Sequence, residues 1–148
     1  MKKKILLAYS GGLDTSAIIP WLIDTYRTDV IAYCCNLGNQ PSEIDLKERA
    51  LALGAVDFIF EDTQEDFANS YILPTLRNGA TYFDDYLLGT AIARPLIAER
   101  TCFWAKKLKV DFLAHGATGK GNDHLRFERG WAYLCPDVAV IAPWKIWE

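Results

Sequence analysis

Two glycine-rich segments carry the groups with which this chain could do chemistry. The first, residues 10–16, reads Ser-Gly-Gly-Leu-Asp-Thr-Ser and directly follows an apolar run. Its paired glycines can turn backbone N–H groups inward, and a helix that begins here adds the positive end of its dipole. We therefore expect this loop to bind a phosphate group. Its spacing matches neither the Rossmann Gly-x-Gly-x-x-Gly pattern nor the Gly-x-x-x-x-Gly-Lys-Ser/Thr loop.

The second glycine-rich segment, residues 115–123, reads His-Gly-Ala-Thr-Gly-Lys-Gly-Asn-Asp and is typical of neither a helix nor a strand. Lys120 is most simply a solvated loop tip, although it could reach a phosphate as a point charge. His115 and His124 are too few and too poorly spaced to build a metal site. Taken singly, Asn122 would be only a helix cap.

Five short apolar runs predict the strands that position these loops. The runs span residues 5–9, 30–35, 56–61, 110–114 and 138–142. Continuous apolar strands that alternate with helical segments predict an α/β fold: a doubly wound, five-stranded parallel sheet with helices on both faces, Rossmann-like in architecture. Ligands bind such sheets beyond the carboxyl ends of the strands. The glycine-rich loops follow the first and fourth strands, so we expect both at that edge.

The segments between the strands predict helices. Residues 14–16 offer helix-starting side chains, and Pro20 should kink the helix that follows. Residues 42–45 resemble a capping box, and Gly54 can end the helix that they open. Further helices are expected over residues 64–73, 86–109 and about 125–134, with Pro95 breaking or bending the longest of them.

Composition narrows the class of protein. The 148 residues are 51% hydrophobic and 24% charged, with a net charge of −3, which is typical of a globular domain and argues against a broad nucleic-acid interface. No cysteine pair has zinc-knuckle or thioredoxin spacing, so we interpret Cys34, Cys35, Cys102 and Cys135 as reduced thiols. The apolar run at residues 5–9 is too short for a signal peptide or membrane span. The expected compartment is the cytoplasm.

Several segments together resemble one family. Residues 8–16 are similar to the pyrophosphate-binding loop of the N-type ATP pyrophosphatases and, in this spelling, to that of the argininosuccinate synthases. Residues 86–98, 114–123, 126–128 and 141–144 agree with the same family in order and spacing. The resemblance implies a HUP-type fold, like that of the adenine nucleotide alpha hydrolases. It also implies that residues 1–148 form a single ATP-binding domain, and that the family's C-terminal synthase and oligomerisation domain is absent.

The resemblance also implies an activity, that of an AMP-forming carbon–nitrogen ligase of arginine biosynthesis. The ureido oxygen of citrulline attacks the α-phosphate of ATP, pyrophosphate leaves, and the amine of aspartate then displaces AMP to give argininosuccinate. ATP with its Mg²⁺, citrulline and aspartate are the implied small molecules, with neither nucleic acid nor membrane as a partner. A separate C-terminal synthase domain would complete the isolated chain, and homo-oligomerisation stays open.

Site residues carry over from the family position by position. The nucleotide-binding residues would be Ala8, Tyr9, Ser10, Gly11, Gly12, Leu13, Asp14, Thr15, Ser16, Cys35 and Gly116, of which Asp14 and Ser16 would be catalytic. The aspartate-binding residues would be Thr118, Asn122 and Asp123. The citrulline-binding residues would be Tyr86, Ala91, Asn122 and Arg126. These types suit amino acids, because Arg126 can pair with a carboxylate and Asp123 can accept from an ammonium group.

Five positions depart from the family pattern. His124 replaces a usual Gln, Pro20 falls inside a helix that the family leaves uninterrupted, and the other three lie at or beside the nucleotide and citrulline sites. Cys35 replaces a usual Ala, Asn36 replaces an acid beside the nucleotide, and Ala91 replaces a Ser that contacts citrulline. Two alternatives therefore stay open. One is a stand-alone nucleotide-binding module or degenerate paralogue. The other is a tRNA-modifying or sulfur-transferring ATP pyrophosphatase, which shares Ser-Gly-Gly-x-Asp-x-Ser but which the acidic charge disfavours.

Overall fold

The computed structural model describes residues 2–82 and 86–147, with only the backbone of Tyr86. The strands are β1 (Lys4–Ala8), β2 (Asp29–Asn36), β3 (Asp57–Asp62), β4 (Thr81–Tyr82), β5 (Tyr86–Leu87), β6 (Phe112–His115) and β7 (Ala139–Ile141). The helices are α1 (Leu13–Tyr26), α2 (Glu43–Ala52), α3 (Gln64–Asp66), α4 (Leu73–Arg77), α5 (Gly89–Leu108), α6 (Asp123–Leu134) and α7 (Pro143–Ile146). A π-helical segment, Phe67–Ile72, joins α3 to α4.

The expected parallel sheet is confirmed. Its order is β3-β2-β1-β6-β7, and every neighbouring pair is parallel. Strand order reverses at β1, which pairs with β2 on one side and β6 on the other. Because the two glycine-rich loops leave β1 and β6, they lie side by side at the switch point where such sheets bind ligands. No helix in the described ranges is long and apolar enough to cross a membrane.

The two faces of the sheet are covered by different helices. Ile5 and Leu7 of β1 belong to the apolar cluster that includes Ile18 and Leu22 of α1. Leu6, which points to the other face, belongs to the cluster formed with α5 and α6. All three β1 side chains are fully buried. Burial on both faces explains why the strand reads as a continuous apolar run rather than an alternating one.

Several predicted helix boundaries are wrong. α1 begins at Leu13, with Gly12 as its N-cap, and continues through Pro20. α2 begins where the capping box predicts, but the Ser42 side chain makes no capping hydrogen bond. The helical segment predicted over residues 64–73 does not end there, because Pro74 lies in the first turn of α4, where a missing N–H is tolerated. The chain turns only after Arg77.

The predicted helix over residues 86–109 begins later than expected. α5 starts at Gly89 and runs through Pro95 without interruption. Residues 86 and 87 instead form β5, which pairs antiparallel with β4, Thr81 opposite Leu87. This two-residue pairing is too short for a periodicity argument to detect.

The interpretation of all four cysteines as thiols is wrong for one pair. Cys102 of α5 and Cys135, just after α6, form a disulfide whose Cα atoms lie 5.9 Å apart. They are 33 residues apart in sequence, and only the packing of α5 against α6 brings them together. Cys34 and Cys35 are free and buried, as expected.

Candidate functional site

The loop between β1 and α1 has a conformation that requires glycine at one position. Gly11 has a φ of +76°, in the left-handed region that side chains other than glycine rarely adopt. A Cβ atom at Gly11 would also overlap the buried side chain of Leu46, which belongs to α2. Arg49 of the same helix donates a hydrogen bond of 2.6 Å to the Gly11 carbonyl. The loop is therefore shaped by a helix that is distant in sequence.

The Thr15 hydroxyl holds the other half of this loop. It donates to the Gly12 carbonyl at 3.3 Å and accepts the Ser10 N–H at 3.4 Å. The Ser10 hydroxyl lies 3.2 Å from it. The first N–H groups of α1 have no partner within the helix, and the helix dipole places positive charge there. An anion can bind at such a helix start, and the predicted binding of a phosphate by this loop stays a prediction.

The loop after β6 approaches the first turn of α1 closely. A Cβ atom on Gly116 would lie 2.8 Å from the Thr15 methyl group and 3.3 Å from Ile18. Only a residue without a side chain fits between the two glycine-rich loops without displacing a neighbour. Gly116 therefore brings the two loops into one site, which is the role that its position at the end of β6 favours.

An open cavity of about 910 Å³ lies at this edge of the sheet. Nine of the residues predicted for substrate binding line it: Ala8, Tyr9, Ser10, Asp14, Thr15, Cys35, Gly116, Thr118 and Asp123. The structure thus brings most of the predicted nucleotide site and part of the predicted aspartate site to one place.

Other predicted residues do not line the cavity. They are Gly11, Gly12, Leu13, Ser16, Ala91, Asn122 and Arg126. Leu13 is 85% exposed and faces solvent. The Ser16 hydroxyl, predicted to be catalytic, lies 3.4 Å from the Tyr9 hydroxyl. The Tyr86 side chain falls outside the described part of the structure.

Asp123 is already paired in this structure. Arg94 contacts one of its carboxylate oxygens at 3.0 Å, and Arg126 contacts the other at 3.0 Å. Arg126 also donates to the Tyr82 hydroxyl at 3.2 Å. An ammonium group could bind Asp123 only by displacing or joining these cations. If Asp123 accepts a hydrogen bond from a substrate amine, as expected, its ion pairs with Arg94 and Arg126 must therefore be exchanged or shared.

Arg94 was not predicted as a site residue. It projects from α5 and is the cation among the described residues that line the cavity. Its guanidinium lies 5.6 Å from the centre of the Phe127 ring, and its Nε is buried without a partner. Its position within residues 86–98, which carry the family resemblance, was the only signal for it in the sequence.

The end of β2 supplies a second group of cavity residues that the sequence did not single out. They are Tyr33, Leu37, Gly38, Asn39 and Gln40. Asn36, one of the departures from the family, accepts the Gly38 N–H at 3.0 Å and so shapes this turn. Its amide therefore has a structural role that the lost acid could also have filled.

Cys35 is in the cavity wall but is not a nucleophile. Its sulfur lies 3.1 Å from the Thr63 hydroxyl, and the residue is 5% exposed. Burial raises the pKa of the Cys35 thiol, so it stays protonated at neutral pH. The replacement of a usual Ala by Cys therefore changes the size and polarity of the wall without adding a reactive group.

Tyr33 lines the cavity, and a charged cluster behind the cavity wall fixes its side chain. Its hydroxyl donates to Glu61 at 2.7 Å, and Trp104 donates to the same oxygen at 2.9 Å. Arg100 pairs with the other Glu61 oxygen. Partial burial opposes ionisation of Glu61, but the hydrogen bonds from Arg100, Tyr33 and Trp104 hold its pKa below the usual value. The Tyr33 ring therefore forms a rigid part of the wall.

The described residues contain no group of three His, Cys, Asp or Glu side chains that could hold a metal ion. Asp14 and Asp123 are the carboxylates that line the cavity, and Asp123 is paired with two arginines. This donor set does not form a protein cage, but it suits Mg²⁺ that arrives on a nucleotide and keeps several waters.

Solved structures similar to this chain share its fold. A predicted subunit of a tRNA methyltransferase from Methanocaldococcus jannaschii aligns with a TM-score of 0.62 at 14% identity, over 95% of this chain and 67% of that chain. An NH3-dependent NAD synthetase from Campylobacter jejuni aligns with a TM-score of 0.52 at 20% identity, over 80% of this chain and 48% of that chain. At these identities the likeness concerns the fold alone.

Sequence comparisons give a closer relationship. Residues 4–148 match the family described as arginosuccinate synthase N-terminal HUP domain. The chain is 50% identical over 147 residues to argininosuccinate synthase of Buchnera aphidicola from Baizongia pistaciae, and 53% identical over 148 residues to that of Psychromonas ingrahamii. Each alignment covers 99% of this chain but only 36% and 37%, respectively, of the length of these relatives. The chain belongs to the argininosuccinate synthase family and corresponds to its N-terminal HUP domain.

Proposed function

We propose that this chain is the ATP-binding domain of an argininosuccinate synthase-type ligase. In that enzyme, ATP adenylates the ureido oxygen of citrulline with release of pyrophosphate, and the aspartate amine then displaces AMP. The observation that carries the proposal is the shared cavity. Ser10 of the first loop, Asp14 and Thr15 in the first turn of α1, and Thr118 and Asp123 at the two ends of the second loop line the same space.

The reaction needs alignment and charge neutralisation rather than a protein nucleophile. The backbone N–H groups at the start of α1 would stabilise the charge that builds up on the departing pyrophosphate. Ser10 and Thr15 hold the loop in the conformation that aims these groups. Asp14 would be the carboxylate beside the phosphates, and Mg²⁺ bound there would neutralise phosphate charge.

The amino-acid substrates would bind at the second loop. Thr118 and Asp123 line the cavity, and Arg126 is held beside Asp123 by the ion pair described above. The carboxylate of citrulline could pair with Arg126 and the ammonium group of aspartate with Asp123, so the two substrates together would replace the mutual ion pair with two new ones. The relatives are longer than this chain, which supports a further domain as the source of the remaining substrate contacts. A role in arginine biosynthesis would place the protein in the cytoplasm.

The test is calorimetry of the purified chain with Mg²⁺-ATP, followed by citrulline and aspartate titrations and radiolabelled pyrophosphate exchange. ATP binding with citrulline-dependent exchange is the expected result for a domain that keeps the adenylating half-reaction. ATP binding without exchange would leave a nucleotide-binding module that needs its partner domain. Absence of ATP binding would contradict the proposal, and tRNA-dependent pyrophosphate release would favour the tRNA-modifying class instead.

Asp14→Asn tests the role of the first-turn carboxylate. We expect Mg²⁺-ATP to bind about tenfold more weakly, since a neutral amide is a poorer Mg²⁺ ligand, while metal-free ATP binds as well as before or slightly better because a negative charge is gone. Calorimetry with and without Mg²⁺ measures both affinities. Asp24→Asn, on the exposed face of the same helix, is the matched control. Equal affinities for Mg²⁺-ATP in Asp14→Asn and the wild type would remove Asp14 from the site.

Arg126→Ala tests the amino-acid side of the cavity. We expect ATP affinity to stay within about twofold, because the contacts of Arg126 are with Asp123 and Tyr82 rather than with the first loop. Citrulline binding to the ATP-loaded protein should fall at least about tenfold through loss of a charge-assisted pair. Arg129→Ala, an exposed residue of the same helix, should change neither affinity. If Arg126→Ala weakened both ligands equally, Arg126 would be a structural residue.

A further inference from the structure

A fully buried histidine lies directly behind the second loop of the cavity. His115 ends β6, is 0% exposed, and immediately precedes Gly116, Ala117 and Thr118, which line the cavity. Its ring stacks on Phe127, with ring centres 5.3 Å apart and planes 14° apart. The proposed function gives this side chain no part, although burying a polar ring requires hydrogen-bond partners.

The hydrogen bonds of His115 fix its protonation state. The Ala117 N–H donates to Nδ1 at 3.1 Å, so Nδ1 must be unprotonated and a neutral ring carries its proton on Nε2. Nε2 points toward Glu128 of α6, but the 3.5 Å separation exceeds ordinary hydrogen-bond length, and Nε2 has no hydrogen-bond partner within residues 2–82 and 86–147. The firm contact of His115 is therefore the one to the loop backbone.

The groups that face His115 come from two helices. Glu128 and His124 belong to α6, and Lys145 of α7 pairs with Glu128 at 2.7 Å. Glu128 favours a positive charge on His115, whereas Lys145 and His124 oppose it. Burial lowers the pKa of His115 to about 4 against the attraction of Glu128, so the ring is neutral at pH 7.

We propose that His115 is a positioning residue of the nucleotide site: its neutral ring accepts the Ala117 N–H and thereby fixes the backbone of residues 116–118 against the first turn of α1. Protonation would put a hydrogen on Nδ1, so that two N–H groups would face each other and the backbone bond would be lost. The inference rests on the proposed function for its ligand, ATP, but the geometry of the loop can be measured without any ligand.

Three substitutions separate the roles of the two ring nitrogens. In His115→Asn the amide oxygen can take the place of Nδ1 and cannot be protonated in this pH range. In His115→Gln the longer amide reaches toward Glu128 and offers no acceptor at the Nδ1 position. His115→Leu fills similar volume with no polar atom. We expect Mg²⁺-ATP affinity at pH 7 to be retained within about threefold in the Asn variant and to fall about tenfold in the other two.

The pH profile distinguishes positioning from packing. The affinity of the wild type for Mg²⁺-ATP should fall as the pH approaches about 4. ATP itself titrates in this range and weakens binding to His115→Asn as well, so the wild type should lose more affinity than this variant. Circular dichroism at each pH confirms that the fold persists. Parallel profiles for the wild type and the Asn variant, or equal affinities for wild type, Gln and Leu variants at pH 7, would overturn the proposal.

Measurements on the ligand-free protein keep this inference separate from the proposed function. Nitrogen chemical shifts of His115 should show a protonated Nε2 and an unprotonated Nδ1 at pH 7. Hydrogen exchange of the Ala117 amide should be protected in the wild type and the Asn variant and faster in the Leu variant. A protonated Nδ1, or unchanged protection of the Ala117 amide in the Leu variant, would overturn the positioning role even if ATP binds. Both measurements can also be made if the protein does not bind ATP.

Discussion

Gly11→Ala should destabilise the fold by about 2–5 kcal/mol and abolish measurable ATP binding. Two costs add at this position. An alanine in the left-handed region costs about 1–2 kcal/mol, and its Cβ would lie within the volume of the Leu46 side chain, which adds about 1–3 kcal/mol of overpacking. Leu46 is fully buried beneath the loop, so the loop must move if the core does not. Urea unfolding followed by circular dichroism measures the stability, and calorimetry the affinity.

The neighbouring glycine provides the matched control. Gly12 has a φ of −72°, which alanine adopts readily, and a Cβ there would meet only the Ser10 hydroxyl at an ordinary 3.4 Å. Gly12→Ala should therefore keep its stability within about 1 kcal/mol, while the extra methyl group beside Ser10 weakens ATP binding. Equal stability of the two variants would show that Gly11 does not need its left-handed backbone, and would make the loop more adaptable than its contacts with α2 indicate.

The sheet could be predicted from the sequence because its strands are buried on both faces. The run of residues 5–9 leaves no polar alternation, and glycines follow it at once, so both the strand β1 and the start of the loop are visible locally. The same holds for β2 and β6. The helix starts were less predictable, because Gly12 rather than a polar side chain caps α1 and Ser42 does not bond as a cap. A tertiary contact, the hydrogen bond that Arg49 donates to the Gly11 carbonyl, shapes the loop before α1 instead.

Contacts between residues far apart in the chain could not be predicted from the sequence, because they depend on how the helices pack. Cys102 and Cys135 have no motif spacing, and only the packing of α5 against α6 brings them within bonding distance. Arg94 likewise belongs to a helix whose place over the sheet edge is set by the whole fold. The first glycine-rich loop, by contrast, is local in sequence, so its position at the carboxyl edge of the sheet followed from the strand and the glycines. Nine predicted site residues line the cavity, but their individual roles stay predictions.

Trp131 links the stability of α6 to the geometry of the site. The residue is fully buried, its Nε1 donates to the Thr101 hydroxyl at 2.8 Å, and its ring packs against Phe127 and His115. Trp131→Ala would leave a large cavity, so we expect a loss of about 3–5 kcal/mol in the free energy of unfolding. Because His115 would lose one wall of its pocket, residues 116–118 should also become less ordered and ATP affinity should fall.

Two control variants decide how the effect of Trp131→Ala arises. Trp131→Phe keeps an aromatic ring but loses the bond to Thr101 and part of the buried volume, so its cost should be about 1–2 kcal/mol. Tyr133→Ala, at an 86% exposed position of the same helix, should stay within about 0.5 kcal/mol of the wild type. Urea unfolding without reductant keeps the Cys102–Cys135 disulfide intact in all three. If Trp131→Ala cost no more than Trp131→Phe, the neighbours would be collapsing into the space, and α6 would not be the rigid support on which the positioning role of His115 depends.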